Sequence, residues 1–275
     1  MPMESGERVK LSKRLTAVAA MVTKGNTVCD VGCDHGFVPV YLVLNGISPH
    51  VIAMDVNGGP LAAARGHVAK YRLSDYIETR LSDGLSALQA GEADTLICAG
   101  MGGRLVVKIL EEGREKLAGT FGINGIHGEA NVSTNGIGIK EMILQPQSDL
   151  QYVRNYLRQT GYAVADEDMV AEDGKYYPMM RVCAGDSLPP DGWLDGHAAD
   201  GLKNGIRHEL EDKYGPVLLR RKHPVLREYL VRETGICMQI LENLDKNGNG
   251  QENRRQEIMK RLQDVETALS CFPAM

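Results

Sequence analysis

Residues 28–36 read Val-Cys-Asp-Val-Gly-Cys-Asp-His-Gly, and Asp55 closes the next apolar run, Val51-Ile52-Ala53-Met54. A dinucleotide fingerprint, G-x-G-x-x-G, uses its second glycine to bring the backbone against a pyrophosphate. Here that position is Asp34, whose carboxylate would repel phosphate. S-adenosylmethionine (SAM) carries a nucleoside, a sulfonium and an ammonium but no phosphate, and suits an acidic loop. The segment points to methyl transfer rather than hydride transfer.

Asp30 and Gly32 end the first apolar run, and Gly32 permits the tight turn that turns backbone amides toward a ligand. Asp34 is placed to accept from the ammonium of SAM, and Asp55 to accept from both ribose hydroxyls. Asp83-Gly84, after the third run, stand where an acceptor for the adenine amino group is expected. Each aspartate alone could instead cap a helix or turn. Three acidic strand ends in order, one crossover apart, favour a cofactor site.

His35 and the loop Gly100-Met101-Gly102-Gly103 are candidates for the substrate side. The histidine could orient the acceptor or take a proton, or merely bond the loop backbone. The glycines either turn the chain sharply or open a slot for a flat base. Asn-Pro-Pro-aromatic, usual at this point in amine-directed methyltransferases, is absent, which disfavours methylation of an exocyclic amine.

These residues need a scaffold that brings strand ends together. Apolar spacing from Val9 to Val22 predicts a helix, then strands at 27–31, 51–55, 77–81 and 95–99 alternate with helices at 39–44, 61–71 and from Leu105. A fifth strand covers Glu141 to Leu144 and a helix 149–160. Extended runs at 162–172 and 176–182 flank Asp173-Gly174, a hairpin signal. The expected fold is α/β, a Rossmann-like, mainly parallel seven-stranded sheet with a terminal antiparallel hairpin. The stretch 119–138 reads as a glycine-rich insertion. Pro189-Pro190-Asp191-Gly192 separates a domain at 1–188 from a helical one at 189–275. There Leu226, Leu230, Cys237, Ile240 and Leu244 form one seam, interrupted by Glu233, and Ile258, Leu262, Val265 and Leu269 another. A polar turn at 245–253 makes these a short antiparallel coiled coil.

Hydrophobic residues at 43% and charged residues at 24% are those of a globular protein, and the net charge of −5 argues against a uniformly basic nucleic-acid binder. The N-terminal residues lack a signal-peptide pattern and no run is long enough to span a bilayer, so a cytoplasmic protein without a membrane partner is expected. Six cysteines without CxxC pairing indicate neither a disulfide framework nor a metal site.

Leu11-Ser12-Lys13-Arg14-Leu15, Asp30 to Pro39, Gly100-Met101-Gly102-Gly103, Leu144-Gln145-Pro146 and Glu172-Asp173-Gly174-Lys175-Tyr176-Tyr177 resemble the motifs of the bacterial tRNA (adenine22-N1)-methyltransferase family, in the same order along nearly the whole chain. The resemblance implies a SAM-dependent enzyme that methylates a ring nitrogen of one adenine in tRNA. The 119–138 stretch is longer than the family's usual link.

In that reading Asp34 and His35 are the catalytic candidates. Asp30, Gly32, Asp34, His35, Asp55, Asp83, Gly84, Gly100 and Met101 would hold SAM, and Arg14, Gly102, Gly103, Gln145, Arg220, Arg221 and Lys222 would hold tRNA. Methyl transfer is an in-line displacement that needs the acceptor held close to the methyl carbon, and the target base must be splayed out of its stack. Residues 186–275 hold thirteen Lys and Arg against fifteen Asp and Glu, so RNA contact there would rest on local clusters. A methyltransferase acting on another RNA or a small molecule, and a non-catalytic SAM-binding interaction protein, are the competing readings.

Overall fold

The computed structural model describes residues 9–117, 138–184, 204–246 and 251–273. Its first part runs α1 (Lys13–Ala20), β1 (Val28–Val31), α2 (Phe37–Leu44), β2 (Val51–Asp55), α3 (Gly58–Lys70), β3 (Ile77–Leu81), β4 (Thr95–Ala99), α4 (Gly103–Glu112) and α5 (Arg114–Leu117). It continues with β5 (Glu141–Gln145), α6 (Leu150–Gln159), β6 (Tyr162–Glu172) and β7 (Lys175–Ala184). The seven strands form one sheet in the order β3-β2-β1-β4-β5-β7-β6. The first five are parallel, and β7 lies antiparallel between β5 and β6.

Every residue of β1, β2 and β5 is buried, because helices cover both faces and continuous apolar runs then suit a parallel sheet. One face packs against α1, α2 and α3, the other against α4 and α6. The hairpin closes with Glu172 opposite Lys175. Asp173 (φ 49°) and Gly174 (φ 71°) both lie in the left-handed region, as a two-residue type I′ turn requires. The α/β fold expected from the sequence is the one observed.

The first helix is shorter than its apolar spacing predicts. Ser12 caps it, its Oγ accepting from the Leu15 amide at 3.2 Å. The Glu172 carboxylate, from the hairpin, accepts from the amides of Lys13 at 2.7 Å and Arg14 at 3.3 Å. An anion there satisfies amides the helix itself cannot. The cap thereby ties α1 to the β6–β7 turn.

The remaining elements are α7 (Asn204–Tyr214), α8 (Pro216–Arg220), α9 (Pro224–Lys246) and α10 (Glu252–Ser270). The predicted boundary at 188/189 lies outside the described residues, as do 119–137 of the glycine-rich stretch and 247–250 of the predicted turn. Ion pairs Glu233–Arg261 and Asp245–Arg255, at 3.2 Å for the latter, set α9 and α10 antiparallel. Glu233, an interruption of the seam in the sequence, is buried against Arg261. Leu226, Leu230 and Cys237 are buried, whereas Ile240 and Leu244 are only half-buried, so the packing thins toward the far end of the pair.

A buried ion pair joins the helical part to the sheet. Arg154 Nε on α6 donates to Glu167 Oε1 on β6 at 2.9 Å. Arg154 Nη1 also donates to the carbonyls of Asp212 and Lys213, which close α7. Glu167 Oε2 accepts from the amides of Val217 and Leu218 at the start of α8. One pair thus terminates two helices. Gly215 makes room for it, since a Cβ there would lie 2.6 Å from the Glu167 carboxylate.

Candidate cofactor and substrate site

The carboxyl ends of the parallel strands carry the site, as the crossover geometry of such sheets dictates. After β1 the chain turns at Gly32 (φ 73°), and the amides of Gly32 and Cys33 donate to the Met54 carbonyl at 2.8 and 3.0 Å. Asp34 adopts φ 51°, a left-handed conformation that Asp and Asn tolerate better than most residues. Its amide donates to Asp55 Oδ2 at 3.1 Å, and the Asn57 amide donates to Asp55 Oδ1 at 2.8 Å. Asp55 is therefore fixed at the tip of β2 with one further lone pair on each oxygen. The Ser82 amide donates to the Asp55 carbonyl at 2.9 Å, so exposed Asp83 and left-handed Gly84 follow directly beside it.

Asp30 is 4% exposed. Burial, with the Asp55 carboxylate beside it, pushes its carboxyl up to about 7. Burial and Asp30 likewise raise the thiols of Cys33 and Cys98, which favours the protonated, weakly nucleophilic form of each. The Asp34 carboxylate is 70% exposed and His35 Nε2 lies 3.5 Å from its Oδ1. The His35 carbonyl accepts from His67 Nδ1 at 2.8 Å, so its backbone is held from α3 while its ring stays beside Asp34.

The substrate side is built by a second set of loops. The Met101 side chain lies over Gly32, where a Cβ would come within 3.1 Å of its Cε. Gly103 is forced to be glycine, because a Cβ there would sit 2.5 Å from the Ser148 carbonyl. Gly102 is less confined, meeting only Ser148 Oγ at 3.3 Å. The Gly100 amide donates to the Gln145 carbonyl at 3.0 Å, and the Gln147 amide to the Met101 carbonyl at 2.9 Å, so backbone hydrogen bonds join the loops that follow β4 and β5.

Arg14 approaches this loop from α1. Its Nη1 donates to Gln145 Oε1 at 2.6 Å and would lie 3.4 Å from a Cβ on Gly100. The guanidinium stacks on Tyr177, 5.5 Å from the ring centroid. Arg14, Gln145 and the glycine loop are thus brought together as the sequence reading expects. Tyr177, Met101 over Gly32, and the Ser148 carbonyl complete the arrangement.

Arg220, Arg221 and Lys222 stand elsewhere. Arg221 forms an ion pair with Asp166 on β6, the edge strand, four positions across the sheet from β1 and so roughly 19 Å away by strand spacing. The run of cations is not part of the slot, and one of the three is neutralised locally. A cavity of about 450 Å³ beside it is lined by Ala17, Met21, Asp166, Asp168, Arg181 and Arg221 among others, and by none of the strand-tip residues. Among the described residues, no cluster of His, Cys, Asp and Glu could hold a metal ion, and no helix is long and apolar enough to cross a membrane.

The donor set fits SAM. Acidic groups at three strand tips match a cation-bearing nucleoside, and Asp55 keeps free acceptors in a fixed position. Asp30, Asp34, Asp55 and Asp83 would hold it; the amides of Gly32 and Cys33, expected from the sequence to face the ligand, are instead taken by the Met54 carbonyl, and the glycine serves the turn.

Comparison with known proteins agrees. A methyltransferase-domain model matches residues 11–123, and a tRNA (adenine(22)-N(1))-methyltransferase model matches 119–267. The chain is 32% identical over 256 residues to the Bacillus subtilis tRNA (adenine(22)-N(1))-methyltransferase, covering 93% of this chain and 94% of that one. The crystal structure of the B. subtilis m1A22 tRNA methyltransferase superposes with a TM-score of 0.72 at 30% identity, covering 95% and 99%. A putative tRNA (m1A22) methyltransferase from Streptococcus pneumoniae, in complex with SAM, gives 0.72 at 28% identity over 94% and 100%.

Proposed function

The chain belongs to the tRNA (adenine(22)-N(1))-methyltransferase family, and from that premise we propose that it uses SAM to methylate ring N1 of adenine 22 in tRNA. The observation that carries this reading is the contact between the acidic β1 loop and the glycine loop of β4, with Arg14 beside them. SAM supplies an electrophilic methyl group on a sulfonium. The chain's own residues have to hold a neutral base in line with it and accommodate the charge that follows.

Adenine N1 has a free lone pair, so attack requires no prior deprotonation. Positive charge then develops on the ring, and the exposed Asp34 carboxylate is placed to offset it. His35 sits beside Asp34 and supports its orientation. Gly102, met only by Ser148 Oγ, leaves the loop without a side chain beside a flat base turned out of its stack, while Gly103 packs the loop against the Ser148 carbonyl. Arg14, pinned by Gln145 and Tyr177, offers a fixed guanidinium for the phosphate of that nucleotide. Arg220 and Lys222, apart from the slot, would make a separate contact with the body of the tRNA, from a helical part divided from the cofactor domain at 188/189. The reaction calls for neither a metal nor a membrane, and the protein is proposed to act in the cytoplasm, where a tRNA substrate is met.

The test is transfer of labelled methyl from SAM to bulk unmodified tRNA, set against a panel of small metabolites. Label in tRNA supports the proposal. Label confined to metabolites would favour a small-molecule enzyme, and tight SAM binding without transfer would favour a non-catalytic interaction protein.

A further inference from the structure

Two arginine–tyrosine stacks flank the glycine loop, one on each face of the sheet. Arg14 over Tyr177 belongs to the α1 side. On the other side Arg104, directly after Gly103, stacks on Tyr152 of α6 at 5.4 Å from the ring centroid. The first pair is tied into the fold by Gln145. The second is not: Arg104 is 79% exposed and its Nε has only a 3.6 Å approach to Asp149, and Tyr152 is 46% exposed. An ion pair so open to solvent contributes little to stability. Leu105, also 46% exposed, adds apolar surface at the same edge.

A half-exposed tyrosine with a guanidinium over it, beside a slot for a flipped base, matches the way single-stranded nucleic acid is gripped: the base stacks on the ring and the cation meets the phosphate. We propose that Arg104 and Tyr152 form a second RNA contact, taking a nucleotide next to the target adenine as the strand leaves the slot over the α4–α6 face. This rests on the tRNA reading above and names a substrate surface within it. Gly103 fixes the start of α4 against the Ser148 carbonyl, so Arg104 is presented at a constant distance from the slot.

The experiment measures kcat and KM for tRNA, the salt dependence of tRNA binding, and the Kd for SAM, in Arg104→Ala, Tyr152→Ala and Tyr152→Phe. Loss of a stacked base or a phosphate contact predicts a tRNA KM raised about five- to twentyfold in both alanine variants, with Tyr152→Phe close to the parent because the ring is kept. The salt slope should fall by about 1 in Arg104→Ala, while kcat stays within about twofold and SAM affinity is unchanged. Unaltered tRNA KM overturns the inference, and so does a parallel loss of SAM affinity and melting temperature, which marks the pair as structural. If the parent chain transfers no methyl to tRNA, the functional reading fails with it. If the parent is active and the variants match it, only this inference fails.

Discussion

The backbone amide of Asp34 donates to Asp55 Oδ2 at 3.1 Å, so the loop after β1 is tied to the tip of β2 by the same carboxylate proposed to receive the ribose. Cofactor binding and the placement of Asp34 are thereby coupled through one side chain. The consequence is a difference between two conservative substitutions.

Asp55→Asn loses the charge that holds two backbone amides and the ribose, and should weaken SAM binding about ten- to a hundredfold, the range of charge-assisted hydrogen bonds. Asp34→Asn keeps the amide bond and suits the left-handed backbone. It should leave SAM affinity within about fivefold yet lower kcat by about 10² or more. Calorimetry for SAM and single-turnover methyl transfer distinguish them, and an Asp34→Asn enzyme with full turnover removes Asp34 from catalysis.

Asp30 makes the protein's behaviour depend on pH. Its carboxyl is raised from 3.8 to about 7, so between those values the folded state binds a proton that the unfolded state has released. Stability therefore falls as pH rises through this window and levels off above it, at a cost of up to ~4 kcal/mol. Asp30→Asn should be the more stable protein at pH 8, with the gain vanishing toward pH 4, in urea unfolding. A cationic ligand favours the ionised form, so SAM binding near pH 6.5 should release a proton. That release is read by calorimetry in buffers of different ionisation enthalpy.

Gly103→Ala and Gly102→Ala differ by one methyl at neighbouring positions. The first drives a Cβ into a backbone carbonyl and the second toward a rotatable hydroxyl. Gly103→Ala should cost about 1 to 3 kcal/mol and roughly 10² in activity through displacement of the slot. Gly102→Ala should stay within about threefold. Melting temperature and kcat measured together test this.

Arg154→Met leaves Glu167 buried without its partner and frees two carbonyls at the end of α7. Breaking such a pair costs about 3 to 5 kcal/mol. We expect the loss in urea unfolding, with limited proteolysis moving into α7 and α8 before the sheet is cut.

The sheet was legible because its signals are local. Val51–Met54 is an unbroken apolar run that suits a strand buried on both faces, and Asp173-Gly174 supplies both positive φ values of the hairpin. The acidic strand tips were legible because chemistry and position coincide in each. What escaped depends on partners distant in sequence. Glu172 caps a helix 159 residues before it, Arg154 and Glu167 face each other across α6 and β6, and Glu233 interrupts an apolar seam until Arg261 is seen opposite. Arg221 stands in a basic run, yet Asp166 on another element neutralises it. Charge counted along a chain does not reveal such pairing.

The central claim is tested by one substitution in the substrate. A tRNA transcript with adenosine at position 22, incubated with the protein and SAM, should yield 1-methyladenosine on nucleoside analysis. The same transcript carrying 1-deazaadenosine at that position, with carbon in place of the acceptor nitrogen, should yield no methylated nucleoside. Equal methylation of both transcripts, or a product other than 1-methyladenosine from the first, would contradict the account.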